Sequence, residues 1–179
     1  MIRFFSVLLV GALVIVGGCA SLNDQLTPSA TRKVNNFDGS IEVIQPPVSA
    51  ASSMSEEPIT LGMMWKETYP EQVLLSVGVS GIEAVTNVEF NVDGQIMKSA
   101  VKSGLTDVNL GHTATLNLPN RSTGYFVIPL DDLKRISLGN VVKVRVTLRN
   151  SYVVSSFGKE VPATIVSKFP TFFKEISKR

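Results

Sequence analysis

The side chains able to do covalent or metal chemistry are few. The chain has one cysteine, Cys19, and one histidine, His112. One thiol cannot close an intramolecular disulfide, and one imidazole cannot supply a zinc or iron ligand cluster, so no metal and no cofactor are expected. A Ser-His-Asp hydrolase would have to use His112, which follows Gly111 in a loop-like stretch, and no Gly-x-Ser-x-Gly elbow presents a serine to it. Adjacent Asp131 and Asp132 make a poor acid/base couple, because neighbours on a helix point about 100° apart and two acids at a helix start complement its positive end. Glu56 and Glu57 read as solvated. The remaining candidates are basic. Lys143, Arg145 and Arg149 fall on alternating positions of a strand-like run, where arginine forks would suit an anionic glycan, a lipid head group or a protein partner. Seventeen basic and fifteen acidic residues leave a net charge of only +2, too little for phosphate-backbone binding, so nucleic acid is not expected as a partner.

Two Ser-x-x-Lys runs, Ser99 to Lys102 and Ser156 to Lys159, have the spacing used by penicillin-recognising enzymes. Both fall on strand-like stretches rather than at a helix start, and no Lys-Thr-Gly element accompanies them. Catalysis is therefore not the expected activity. The informative cysteine lies near the N-terminus. Arg3 precedes an apolar run from Phe4 to Gly18, broken only by Ser6. Its fifteen residues rise ~22 Å as a helix, short of a hydrocarbon core of roughly 30 Å, so the run reads as a secretory signal and not a permanent span. It stops at Val16-Gly17-Gly18-Cys19, which resembles the lipobox of bacterial lipoproteins: an aliphatic residue, two small residues and the cysteine. The resemblance covers about the first two dozen residues. It implies that residues 1–18 are removed and that Cys19, alkylated with diacylglycerol and acylated at its amino group, becomes the first residue of the mature chain. Two or three acyl chains would hold it permanently, since each buried methylene contributes ~0.8 kcal/mol. Ala20 stands after the cysteine where an aspartate would retain the protein at the inner membrane, so the implied address is the outer membrane. In a bacterial chain the sequon Asn120-Arg121-Ser122 carries little weight.

Residues 19–58 are rich in Ser, Asn, Thr, Gln and Pro and read as a tether, with a root-mean-square reach of roughly 35 Å if flexible throughout. One alternating patch, Gly39 to Gln45, has the character of an edge strand returning to the body. Residues 59–179 form the expected domain, whose dominant period is two. Val88, Phe90 and Val92 alternate with Glu89 and Asn91 before Asp93-Gly94, a tight-hairpin pair, so a hairpin over Val85 to Val101 is expected with Phe90 facing Met97. Val142, Val144, Val146 and Leu148 alternate with Lys143, Arg145, Thr147 and Arg149. Further strands are expected at Thr60 to Lys66, Val73 to Val79, Ala114 to Leu118, Tyr125 to Ile128 and Tyr152 to Phe157. A short crossover helix is expected over Asp131 to Leu138 with Gly139 after its end. A C-terminal helix opened by Pro170 would turn Phe172, Phe173 and Ile176 onto the core, with Phe169 beside them.

Many short strands with two small helices predict a mainly β, antiparallel β-sandwich, with an immunoglobulin-like version preferred although the paired cysteines around a tryptophan are absent. The expected function is non-enzymatic: an outer-membrane lipoprotein presenting an interaction domain in the bacterial envelope, held to the membrane by its lipid. The alternatives are a small envelope hydrolase and a carrier of an apolar ligand in a Val- and Phe-lined cavity. Replacing Cys19 with serine is expected to abolish lipidation, read by mass spectrometry as loss of the acyl mass on the mature N-terminal residue. A wild-type N-terminus without acyl mass would refute the address.

Overall fold

The computed structural model describes residues 27–97, 100–110 and 120–178. Cys19, the apolar run, Ser99, His112 and the expected strand Ala114 to Leu118 lie outside the described residues. Eleven strands and two helices follow in the order β1 (Thr31–Val34), β2 (Ile41–Ser49), β3 (Thr60–Lys66), β4 (Gln72–Ser80), β5 (Val85–Val92), β6 (Gln95–Met97), β7 (Val101–Lys102), β8 (Asp107–Asn109), β9 (Arg121–Pro129), α1 (Leu130–Leu138), β10 (Val142–Leu148), β11 (Tyr152–Phe157) and α2 (Thr164–Ser177). They form a mainly β domain of two antiparallel sheets. The larger runs β1-β2-β3-β4-β9-β7, with β8 also on β9, and the smaller runs β11-β10-β5-β6. The first four strands make one uninterrupted meander, whereas an immunoglobulin chain switches sheets after its second strand.

Alternation decides the faces. On the large sheet Val43, Trp65, Val73 and Ile128 lie in one cross-strand row, and Met63, Leu75 and Phe126 in the next. All are buried, together with Val88, Phe90, Val142, Val144 and Val146 of the small sheet, in one continuous core. Trp65 is 8 % exposed, its indole N–H donating to the Pro70 carbonyl at 2.9 Å. The Asp93-Gly94 turn is present, with both residues at positive φ, and Phe90 pairs with Met97. The hairpin does not run on to Val101, however. After Met97 the chain leaves the small sheet, and Val101 pairs with Val127 at the edge of the large one.

Residues assigned to a tether by composition are partly built into the domain. β1 and β2 are the first two strands of the large sheet, Val43, Val48 and Ala50 are core residues, and β2 is an internal strand covered at its edge by β1. Polar composition masked this because β2 has only one buried face and carries Pro46-Pro47 at a register shift, where missing N–H groups do no harm. Gln45 is 1 % exposed on the inner face, and its side-chain amide donates to the carbonyls of Pro28 and Pro46, both at 2.9 Å, which fastens the start of the described chain to β2.

The small sheet is narrower than the large one, and α2 covers the remainder. It packs on β2 and β1, burying Ile165, Phe169 and Phe172, with Phe169 and Phe157 ring centroids 6.3 Å apart. Phe172 is fully buried, while Phe173 and Ile176 are partly buried against the same core. The helix begins at Thr164, so Pro170 is interior and not the opening residue. An interior proline forfeits the bond to the carbonyl four residues back and costs ~3 kcal/mol. Burial of three large side chains at ~1.5–3 kcal/mol each outweighs that cost. α1 also differs in detail: it starts at Leu130, and Gly139 after its end has φ −61° instead of a left-handed conformation. A Cβ there would meet Val142 Cγ2 at 2.5 Å, so close packing requires the glycine.

Arg32 on β1 closes the far end of α2. Its Nη1 donates to the Glu175 carbonyl at 2.8 Å and to that of Lys178, two of the carbonyls a helix terminus leaves without partners. Replacing Arg32 with alanine is expected to lower stability by about 1–2 kcal/mol in denaturant unfolding, while Lys33→Ala on the exposed side of the same strand changes it by less than about 0.5 kcal/mol.

Candidate functional site

The basic stripe does not survive as a stripe. Lys143 and Arg145 are exposed on the outer face of β10, as alternation predicts, but β10 ends at Leu148 and Arg149 lies in the turn to β11, where the Leu148 N–H donates to the Ser151 carbonyl at 2.9 Å. A bulge at Thr147/Leu148, where the Thr86 hydroxyl donates to the Thr147 carbonyl, ends the regular ladder just before it. Arg145 is committed to a partner: its Nε donates to Glu89 Oε2 at 2.9 Å and its Nη2 to the same oxygen. Glu89 stands directly opposite Arg145 in the register and its side chain is only 11 % exposed. Glu89 was expected on the wet face. It is on that face, yet it is buried, because the Arg145 side chain lies over it.

Around this pair the outer face of the small sheet forms a shallow trough. One depression of about 190 Å³ is bordered by Glu89, Asn91, Ile96, Lys143, Arg145 and Val154. A second of about 490 Å³ shares Asn91 and Lys143 with it and continues to Asp93, Asn140 and Glu160. Strand pairing sets the rows: Glu89–Arg145–Val154 in one, and Ile96–Asn91–Lys143–Ser156 in the next. The rim at Asp93 is rigid, because its carboxylate accepts the N–H groups of Asn140 at 3.0 Å and Val141 at 2.8 Å. The trough therefore offers charges of both signs, two amides and two apolar side chains, held by ladder-bonded strands. That surface suits a polar ligand of mixed character better than a polyanion.

Other singled-out residues are placed as follows. Asp131 and Asp132 sit in the first turn of α1 and reach forward to Lys134 at 2.8 Å and Arg135 at 3.9 Å, so they do not face one another across a cleft. Ser156 is on β11 and Lys102 on the two-residue β7. Glu56 is not simply solvated: the Ser52 N–H and hydroxyl donate to it at 2.9 and 3.1 Å, and Ser156 also hydrogen-bonds to it. Partial burial pushes its carboxyl up, but the Ser52 and Ser156 bonds more than offset this and hold it below the usual range. With Ser155 donating to the Glu57 carbonyl, this loop covers part of the β11 edge.

The outer face of the large sheet was not singled out by sequence. There Ile44, Met64, Leu74, Val127 and Val101 form one cross-strand apolar row, ending beside the Glu42–Lys66 ion pair of 2.8 Å. The Lys66 hydrogen bond holds the Glu42 carboxyl below its ordinary value. Only pairing register reveals this row, because each strand contributes a single residue to it. The Val and Phe side chains that would line an apolar carrier are packed into the common core. Among the described residues no group of three or more His, Cys, Asp and Glu is placed to hold a metal, and no helix is long and apolar enough to cross a membrane. No protein-family model, no curated protein and no solved structure matches the chain.

The Glu89–Arg145 geometry implies unequal costs for removing the two exposed arginines. Arg145→Ser strips the cover and the hydrogen bonds from a largely buried carboxylate, and is expected to lower stability by about 1 kcal/mol after allowance for the exposed guanidinium. Arg149→Ser is expected to stay within about 0.5 kcal/mol. Glu89→Gln combined with Arg145→Ser would recover most of the loss in the same unfolding measurement.

Proposed function

We propose that this chain is a bacterial lipoprotein, anchored to the outer membrane through acylated Cys19, whose β domain works by binding rather than catalysis. In this reading the two sheets are the layers of one sandwich-type scaffold, and the trough on the outer face of the smaller sheet is the binding surface. The lipobox-like run Val16 to Cys19 supports the address. The single observation that carries the binding reading is the continuity of the trough through Asn91 and Lys143, from Ile96 and Val154 to Asp93 and Glu160.

Its chemistry defines the ligand class. Lys143 offers a charged donor beside the already paired Arg145, Glu160 accepts, Asn91 and Asn140 do both, and Ile96 and Val154 supply apolar contact at 60 % and 37 % exposure. A partner segment or glycan carrying both hydroxyl or amide groups and charges of either sign satisfies such a lining. A purely anionic polymer does not, since half of the charge it would meet is already neutralised or repulsive. Backbone order suits the role, because strands hold side chains within narrow limits and a ligand then loses little of its binding energy to ordering the site.

Photo-crosslinking residues placed at Asn91 and at Ser156 in the lipidated protein, in intact cells, are expected to capture the same envelope component. Lys143→Glu should suppress both adducts while leaving the unfolding midpoint unchanged. Adducts that form only from the outer face of the large sheet, at Ser76 for example, would refute the trough as the binding surface.

A further inference from the structure

The strand register decides which end of the domain a lipid at Cys19 would place on the membrane. Thr31 pairs with Ile44 and Val34 with Ile41, so β1, followed backwards, runs toward the Ser49 end of β2. The Gln45 side chain fastens the Pro28 carbonyl on that course. Seven residues, 20–26, lie between Cys19 and Thr27. The eight Cα–Cα steps from one to the other cannot exceed about 28 Å even fully extended. That is less than the ~35 Å expected of a flexible tether running to residue 58. Reaching the opposite end, at the β1–β2 turn, would require the segment to reverse and extend along most of β2 and past its turn. β2 alone is nine residues, about 30 Å.

The Ser49 end is where the β2–β3 connection, the β4–β5 connection and the exit of β8 lie, because Ser49 pairs with Thr60, Thr60 with Gly78, and Ser80 and Asn109 both with Arg121. Each of these three segments exposes a large apolar side chain: Met54 completely, Ile82 at 56 % and Leu110 at 54 %. Isolated in water such tips contribute nothing to stability, whereas against an acyl boundary each would remove apolar area from water. Charges of both signs flank them, with Glu83 and Arg149 both exposed, so attraction to anionic lipid is not the driving force. We infer that the Ser49 end of the large sheet rests on the bilayer, with Met54 and Ile82 seated at the headgroup and acyl boundary. The inference rests on the lipid anchor proposed above. It turns the aromatic hairpin tips Phe37 and Tyr69 away from the membrane, and with them the Asp93 end of the trough.

The test uses lipidated full-length protein in zwitterionic phosphatidylcholine vesicles. Cys19 is occupied by lipid, so single cysteines introduced as Met54→Cys, Ile82→Cys, Phe37→Cys or Tyr69→Cys can be labelled with an environment-sensitive fluorophore. Labels at 54 and 82 are expected to shift to the blue and to be quenched by shallow nitroxide lipids at low and high salt alike. Labels at 37 and 69 should show neither effect. Quenching at 37 or 69, or equal absence of quenching at all four positions in protein whose acyl mass is confirmed, would overturn the orientation and leave the anchor standing. A wild-type N-terminus without acyl mass would overturn both.

Discussion

The larger sheet has an apolar inner face wider than the sheet laid over it, and the rest of the molecule is organised by the need to cover the difference. A face bearing Val43, Val48, Met63 and Trp65 cannot be left in water without forfeiting several side chains' worth of burial, ~1.5–3 kcal/mol each. Four strands of the small sheet do not extend that far, and α2 closes the gap with Ile165, Phe169 and Phe172. The helix crosses an interior proline to do so. Its C-terminal carbonyls then meet Arg32, which is available only because β1 has been added as a further strand beyond β2. The polar N-terminal residues are thus part of the core's boundary, and not a spacer in front of it.

The same requirement places the start of the described chain. Gln45 faces inward, where burying an amide is costly, and its Nε2 donates to the carbonyls of Pro28 and Pro46 while its buried Oε1 has no partner among the described residues. Folding therefore draws residues from Pro28 onward, which composition assigns to a tether, into the domain. This fastening of the early chain by a buried polar side chain is a consequence of sheet topology and not of linker composition.

Electrostatics follow a similar logic on the small sheet. Arg145 and Glu89 face one another across the ladder, and the long arginine stem buries the shorter carboxylate beneath it. The result removes one cation from the surface and moves the character of the face from basic to mixed. Lys143, two residues earlier on the strand, remains in the trough, while Arg149 is carried out of the row when the strand ends.

Period-two alternation by itself determined the strands Thr60–Lys66, Val142–Leu148 and Tyr152–Phe157, and the Asp93-Gly94 pair determined a turn with Phe90 opposite Met97, because these depend on neighbours in sequence. The helical spacing of Phe172 and Ile176 likewise placed a C-terminal helix, though not its start at Thr164. What tertiary structure alone decided was the partnering: that β1 and β2 belong to the large sheet, that the chain after Met97 changes sheets, that Glu89 is covered, and that an apolar row crosses five strands of the outer face. Each of these depends on residues distant in the chain being brought opposite one another. Local pattern reports which face of a strand is apolar, but only packing reports what lies against it.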